Sequence, residues 1–273
     1  MVDLPSPNRG TSVISHPRKA RRRALLIALM SMTSPLPGVK AAGKVSDDVH
    51  IDVGDSVVRL STEVFGSGGL HYINVHENEA VSVKAARAVL STRAGLLTEL
   101  KCQRTRLISF KAGGVKYTFD PNRIFTDKGI EATFRKYGPY SMGAHLRAAA
   151  VADAIRAILT PSQGLPVIAL HNNTPGDYSV LEYQAPGPEA ENAARVAINP
   201  SLSPDDFFVV TDPAVFARLE AGKFNVVLQS STPVDDGSLS VWFQQQGRSY
   251  INVEAQQSHL VEQQRMLEFV ADA

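Results

Sequence analysis

One cysteine in 273 residues, Cys102, has no second thiol to pair with. That excludes an internal disulfide and a cysteine-rich zinc finger. Neither sign of charge is in excess: 28 Lys and Arg face 27 Asp and Glu, a formal net charge of +1. This balance argues against a nucleic-acid partner bound through bulk positive charge. Long apolar runs are missing as well. The stretch Ala24–Met30 is too short to cross a bilayer as a stable helix. From residue 43 onward there is no internal repeat and no low-complexity linker. What is present is the length and the 44% apolar content that one sizeable domain with a full core requires.

Residues 1–42 read differently from the rest. Arg18, Lys19 and Arg21–Arg23 form a basic block, Ala24–Met30 an apolar core, and Val39–Ala42 a small-residue exit. That order is the pattern of a secretory signal segment, so the expected location is secreted or periplasmic, with no stable membrane span after its removal. Residues 43–273 form the expected functional domain.

Within that domain, apolar runs alternate with helical periodicity. Strands are expected at Val57–Ser61, Tyr72–Val75, Pro166–His171, Phe207–Val210, Phe224–Leu228, Val241–Phe243 and Tyr250–Val253. A hairpin is expected from Arg106–Phe110 and Val115–Phe119 around Gly113-Gly114. Helices are expected at Glu79–Thr92, Ile130–Tyr137, Met142–Leu159, Pro213–Glu220 and His259–Val270, with His145 on the polar face of its helix. The alternation predicts a single α/β domain with a mixed, mostly parallel sheet flanked by helices. In such sheets ligands bind beyond the carboxyl ends of the strands. His76, His171 and Glu254 each stand where an apolar strand run stops.

The chemistry concentrates in four stretches. His76 and Glu79 flank the turn from a strand into a helix, so imidazole and carboxylate can converge. His171, at another strand end, supplies a third ligand and leaves one position of a tetrahedral zinc site for water. Such a site makes hydroxide available near neutral pH. In Asp120–Thr126, Asn122 and Arg123 offer planar donors suited to a carboxylate. Glu254, a carboxylate ending an apolar strand, suits a general base that passes a proton from water to a leaving amine.

Together these stretches resemble the zinc carboxypeptidase superfamily, with leanings to its aspartoacylase and succinylglutamate desuccinylase branch. The resemblance runs from about residue 70 to 256 and is carried by His76-x-x-Glu79, the Asp120-x-Asn122-Arg123-x-Phe125 segment, His171 and the late Glu254, in that order. It implies zinc held by His76, Glu79 and His171, an α/β sandwich around a mixed sheet, and hydrolysis of an amide next to a carboxylate. It departs from the family at Glu77, where a glycine is usual; a charged residue there is expected to narrow the pocket or select a basic substrate. The oxyanion-stabilising cation is also displaced. Arg104, Arg106 and Lys116 all lie near its place, and Arg106 is preferred.

The expected activity is therefore that of an exported metalloprotease or amidohydrolase, carboxypeptidase-like, acting on cell-wall or other peptides. The alternatives are an N-acyl amino acid deacylase and a non-catalytic peptide-binding module on the same fold. Asp235-Asp236-Gly237 reads as a turn, and Tyr250 as a core aromatic. In a bacterial host, residues 1–42 are expected to deliver a fused reporter that works only outside the cytoplasm. A reporter left inactive inside the cell would remove the export expectation.

Overall fold

A computed structural model describes residues 44–45, 48–162 and 164–272. The signal segment expected at 1–42 lies outside them. Strand β8 (Val167–Asn173) is buried along its whole length and occupies the middle of the sheet. Its flanking partners are β4 (Leu70–Asn74) and β12 (Tyr250–Gln256), both parallel to it. β5 (Gly95–Lys101) continues the parallel set beyond β4.

The two ends of the sheet are antiparallel. On one side β3 (Ser56–Phe65) pairs with β5 and carries β1 (Lys44–Val45) and β2 (Val49–Val53) on its other edge. On the other side β10 (Phe207–Val210) runs against β12 and parallel to β11 (Asn225–Gln229), and β9 (Ala193–Ala197) closes the edge. The hairpin β6 (Ile108–Ala112) and β7 (Val115–Phe119) forms a separate two-stranded sheet. The domain is thus a single α/β unit on a large mixed sheet.

Helices cover both faces. The first face packs against α1 (Ala80–Leu90), α4 (Pro213–Ala221) and α6 (Leu260–Ala271). The second packs against α2 (Asp127–Tyr137), α3 (Met142–Leu159), α5 (Leu239–Gln245) and the hairpin. Period-two alternation decides what each face receives. Ile168 and Leu170 enter the first core, and each such buried side chain contributes about 1.5–3 kcal/mol. Val167 and Ala169 enter the second, and the next residue on that side is His171. In β12, Ile251, Val253 and Ala255 fill the first core, so Tyr250, Asn252 and Glu254 turn to the second face. The same alternation that builds the core therefore delivers His171 and Glu254 to one side, in register with each other.

Two sequence expectations are corrected. Val241–Phe243 lies in helix α5, not in a strand. The Ser238 hydroxyl accepts the Val241 N–H at 3.3 Å and caps the first turn, and only Val241 and Phe243 of the three are buried. His145 is buried rather than on a polar face, held between the Tyr140 hydroxyl and Asp127 at 3.2 Å each.

The turn at Gly237 packs directly on α2. Gly237 has φ +76°, and a Cβ there would lie 2.5 Å from the Gly129 Cα. Its carbonyl accepts the Phe125 N–H at 2.9 Å. Gly237→Ala is expected to destabilise the protein by about 2 kcal/mol in denaturant titration, from left-handed strain plus overpacking. A loss within error would mean that this contact does not hold the turn.

Candidate metal centre and cavity

The chain leaves β4 after Asn74 and turns at once into α1. The Glu79 N–H donates to the His76 carbonyl at 3.0 Å, and Ser82 Oγ donates to the Glu79 carbonyl at 2.7 Å. The turn is then tied to neighbouring strands. Asn74 Nδ2 donates to the Leu170 carbonyl at 3.0 Å, and the Ser82 N–H donates to Asn172 Oδ1 at 2.8 Å. From α6, Gln263 Nε2 donates to the His171 carbonyl at 2.8 Å and its Oε1 accepts from Asn172 Nδ2 at 2.9 Å. All of these polar groups are buried, so each needs the partner it has.

This frame brings three side chains to one point. His76 Nδ1 lies 2.9 Å from Glu79 Oε1, and His171 Nδ1 lies 2.9 Å from Glu79 Oε2. The two Nδ1 atoms face each other at 3.3 Å. Exposure is 0% for His76, 2% for Glu79 and 3% for His171. Ligand atoms around a tetrahedral zinc with bonds of about 2.0–2.1 Å stand roughly 3.3 Å apart, so this donor set fits such an ion. Two borderline nitrogens and one carboxylate oxygen also match zinc chemically.

Behind the cluster, His76 Nε2 meets Asp120 Oδ1 at 2.8 Å. The same carboxylate oxygen accepts the Asn122 N–H at 2.8 Å, and Thr133 Oγ1 lies 2.9 Å from the Asp120 nitrogen. The carboxylate fixes the tautomer, because a proton on Nε2 leaves Nδ1 free for a metal. Burial opposes charge on Asp120, but His76, Arg106 and Arg123 outweigh it and hold this carboxyl well below its usual range. Sequence reading gave Asp120 no role in metal binding. Its signal was the carboxylate in the same short segment as Asn122 and Arg123.

Arg106, the preferred oxyanion cation, reaches the cluster. Its Nη1 donates to Glu79 Oε1 at 2.7 Å and its Nε lies 3.4 Å from Asp120 Oδ2, while Nη2 makes no hydrogen bond among the described residues. Lys116 does not reach it. Tyr117 points into the core, so alternation along β7 turns the neighbouring Lys116 to solvent, paired across the hairpin with Lys111. Arg104 is exposed at a φ of 58°. Glu77 does not narrow the cavity. Its Oε2 accepts the N–H groups of Cys102 at 2.8 Å and Arg104 at 2.6 Å, pinning the loop that leads to Arg106.

A cavity of about 400 Å³ opens beside the cluster, lined among others by Arg106, Asn122, Arg123, His171 and Glu254. Arg123 donates from Nη1 to the Asn122 carbonyl at 2.8 Å and lies 3.5 Å through Nε from Asp236. Asn122 Oδ1 accepts the Leu239 N–H at 3.1 Å. Arg123 Nη2 and Asn122 Nδ2 have no partner among the described residues, which leaves two adjacent donors for a carboxylate. Glu254 is 7% exposed and accepts from Asn252 Nδ2 at 3.1 Å. Burial raises its carboxyl above the usual range, with Glu79 adding to the rise and His171 opposing it. Tyr250 is both core and wall, 1% exposed and lining the cavity.

No family model and no curated protein matches the chain. Several solved structures are similar to it. An aspartoacylase family protein from Mesorhizobium loti aligns at 14% identity and TM-score 0.42, over 86% of this chain and 69% of that one. A protein proposed to be a metallopeptidase, from Shewanella baltica, aligns at 13% identity and TM-score 0.41, over 82% and 85%. A protein proposed to belong to the succinylglutamate desuccinylase/aspartoacylase family, from Shewanella amazonensis, aligns at 12% identity and TM-score 0.39, over 83% and 72%. Likeness at this level assigns no activity to this chain.

The cluster has a pH signature. Burial lowers the His76 imidazole, but Glu79 and Asp120 together outweigh burial and hold it above its ordinary value. Burial raises Glu79, but the two histidines hold it below its usual range. The His76 contribution to stability is full below the ordinary imidazole pKa and lost as pH rises through the raised one. The Glu79 contribution is present above the ordinary carboxyl pKa and lost as pH falls. As pH rises from the ordinary imidazole pKa through the raised one of His76, the Tm of the metal-free protein is therefore expected to fall, while zinc affinity rises. Asp120→Asn is expected to lower zinc affinity about 10–100-fold. A metal-free Tm that stays flat over this rise would contradict the stabilising contact of protonated His76 with Glu79 and Asp120.

Proposed function

We propose that this protein is a zinc-dependent hydrolase that cleaves an amide bond next to a carboxylate, in the manner of a carboxypeptidase. The observation that carries the proposal is the convergence of His76, Glu79 and His171 beside a cavity that also holds Glu254 and the paired donors of Arg123 and Asn122. Zinc held by the three would supply the Lewis acid, making hydroxide available near neutral pH and polarising a carbonyl.

The protein's own groups supply the rest. Arg123 Nη2 and Asn122 Nδ2 receive the substrate carboxylate and set which amide lies over the cluster. Glu254, raised by burial, takes the proton from the attacking water and delivers it to the leaving nitrogen. Arg106 directs its remaining N–H groups at the oxygen on which negative charge develops. Peptides, including cell-wall peptides, are the proposed substrates. That they are met after export is supported by residues 1–42 alone.

The test combines chelation with a Glu254→Gln variant on N-acyl dipeptides. Chelation is expected to abolish cleavage and zinc to restore it. Glu254→Gln is expected to keep its zinc while kcat falls about 10²–10⁴-fold. Unchanged kcat in the zinc-loaded variant would remove the base assignment, and cleavage that survives full metal removal would remove the hydrolase proposal.

A further inference from the structure

Arg106 is the cation that faces the developing charge, yet it is exposed and stands in the loop 102–107 between β5 and β6. Its side chain touches Glu79 and Asp120. Both partners also serve the metal centre, Glu79 as a ligand and Asp120 behind His76. An oxyanion donor works only if the backbone beneath it holds still.

The sheet register provides a hold that draws on neither partner. β4 and β5 run parallel, with Asn74 level with Glu99. Three residues further along the two chains stand Glu77 and Cys102, and there Glu77 Oε2 accepts the Cys102 N–H at 2.8 Å. The same oxygen accepts the Arg104 N–H at 2.6 Å. One carboxylate oxygen thus grips the loop at alternate residues.

Arg104 carries an independent sign of that grip. Its φ is 58°, a left-handed conformation that a residue with a Cβ keeps only when its surroundings impose it. The other ties of the loop act elsewhere. Gln103 Nε2 donates to the Ser109 carbonyl at 2.7 Å, and its Oε1 accepts the Ser109 N–H at 3.0 Å. Thr105 Oγ1 donates to the Leu107 carbonyl at 2.7 Å. These anchor the loop to the start of β6. The Arg104 N–H is held by Glu77, and the turn at Arg104 sends the chain on into Arg106.

Resting on the hydrolytic reading, we propose that Glu77 is a positioning residue for the reaction. It acts through the backbone: its carboxylate keeps Arg104 left-handed, and that turn sets where the Arg106 guanidinium stands against the oxygen that gains negative charge. Glu77 is not among the residues that line the cavity. Its loss therefore lowers the rate without weakening capture of the substrate by Arg123 and Asn122.

The test uses the zinc-loaded full chain and its Glu77→Ala, Arg106→Ala and doubly substituted variants. They are read by hydrolysis of N-acyl dipeptides and by amide hydrogen exchange. Glu77→Ala is expected to keep its zinc and to lower kcat about 10- to 100-fold, with KM within about twofold. In the Arg106→Ala background, where the group being positioned is gone, Glu77→Ala is expected to cost almost nothing more. Arg104→Gly, which makes the left-handed turn without a clamp, is expected to recover several-fold of the kcat lost in Glu77→Ala. The Cys102 and Arg104 amides are expected to exchange slowly in the unsubstituted chain and fast in Glu77→Ala. Unchanged kcat in Glu77→Ala would overturn the inference and leave the hydrolytic reading in place, as would losses that multiply in the Glu77→Ala/Arg106→Ala chain. Exchange equally fast with and without Glu77 would overturn it whatever the kinetics. Slow exchange that depends on Glu77, in a chain that cleaves no dipeptide, would support the clamp and remove the hydrolytic reading.

Discussion

A carboxylate almost wholly removed from water has to be matched by positive charge or by donors, and Glu79 is such a carboxylate. It is met by the two imidazoles, by Arg106 and by the Asn172 N–H. Everything near it is arranged to keep that arrangement in place. β4 stops so that His76 and Glu79 can share a turn. β8 brings His171 across, and α6 braces β8 through Gln263. A buried cluster of this kind is weak evidence for stability, because the desolvation of its charges offsets much of their attraction. Its persistence in the middle of an otherwise apolar sheet makes better sense as the seat of a cation.

The cavity extends the same logic outward. At the metal end, charges are paired in depth: Asp120 behind His76, and Arg106 across Glu79 and Asp120. Further out, the Arg123 guanidinium stands 3.5 Å from Asp236 through Nε and gives Nη1 to the Asn122 carbonyl. The loop that positions Arg106 is held by Glu77, so a residue that reads in sequence as a possible pocket wall instead braces the loop leading to an arginine.

Much of this was legible beforehand because strand ends announce themselves. Apolar runs closing on His76, His171 and Glu254 placed three groups at one edge of an α/β sheet, and the expected spans of α3 and α4 match the observed ones within a residue. Other features depended on partners distant in sequence. Lys116 could be excluded only once Tyr117 was known to face inward. Val241–Phe243 has the composition of a strand, but the Ser238 cap and the packing of Leu239 and Phe243 make it a helix. β5, with alternation interrupted by Thr98 and Glu99, gave too weak a period to be recognised. The placement of Asp236 beside Arg123 depends on Gly237 meeting Gly129 more than a hundred residues away, which no local pattern encodes.

The central claim is that His76, Glu79 and His171 together hold one zinc ion. Zinc-edge X-ray absorption on the purified, zinc-loaded chain tests it most directly. The account predicts one zinc per chain, with a first shell of two imidazole nitrogens and the remaining ligands oxygen, at about 2.0–2.2 Å. A substoichiometric metal content, or a shell without imidazole, would contradict it.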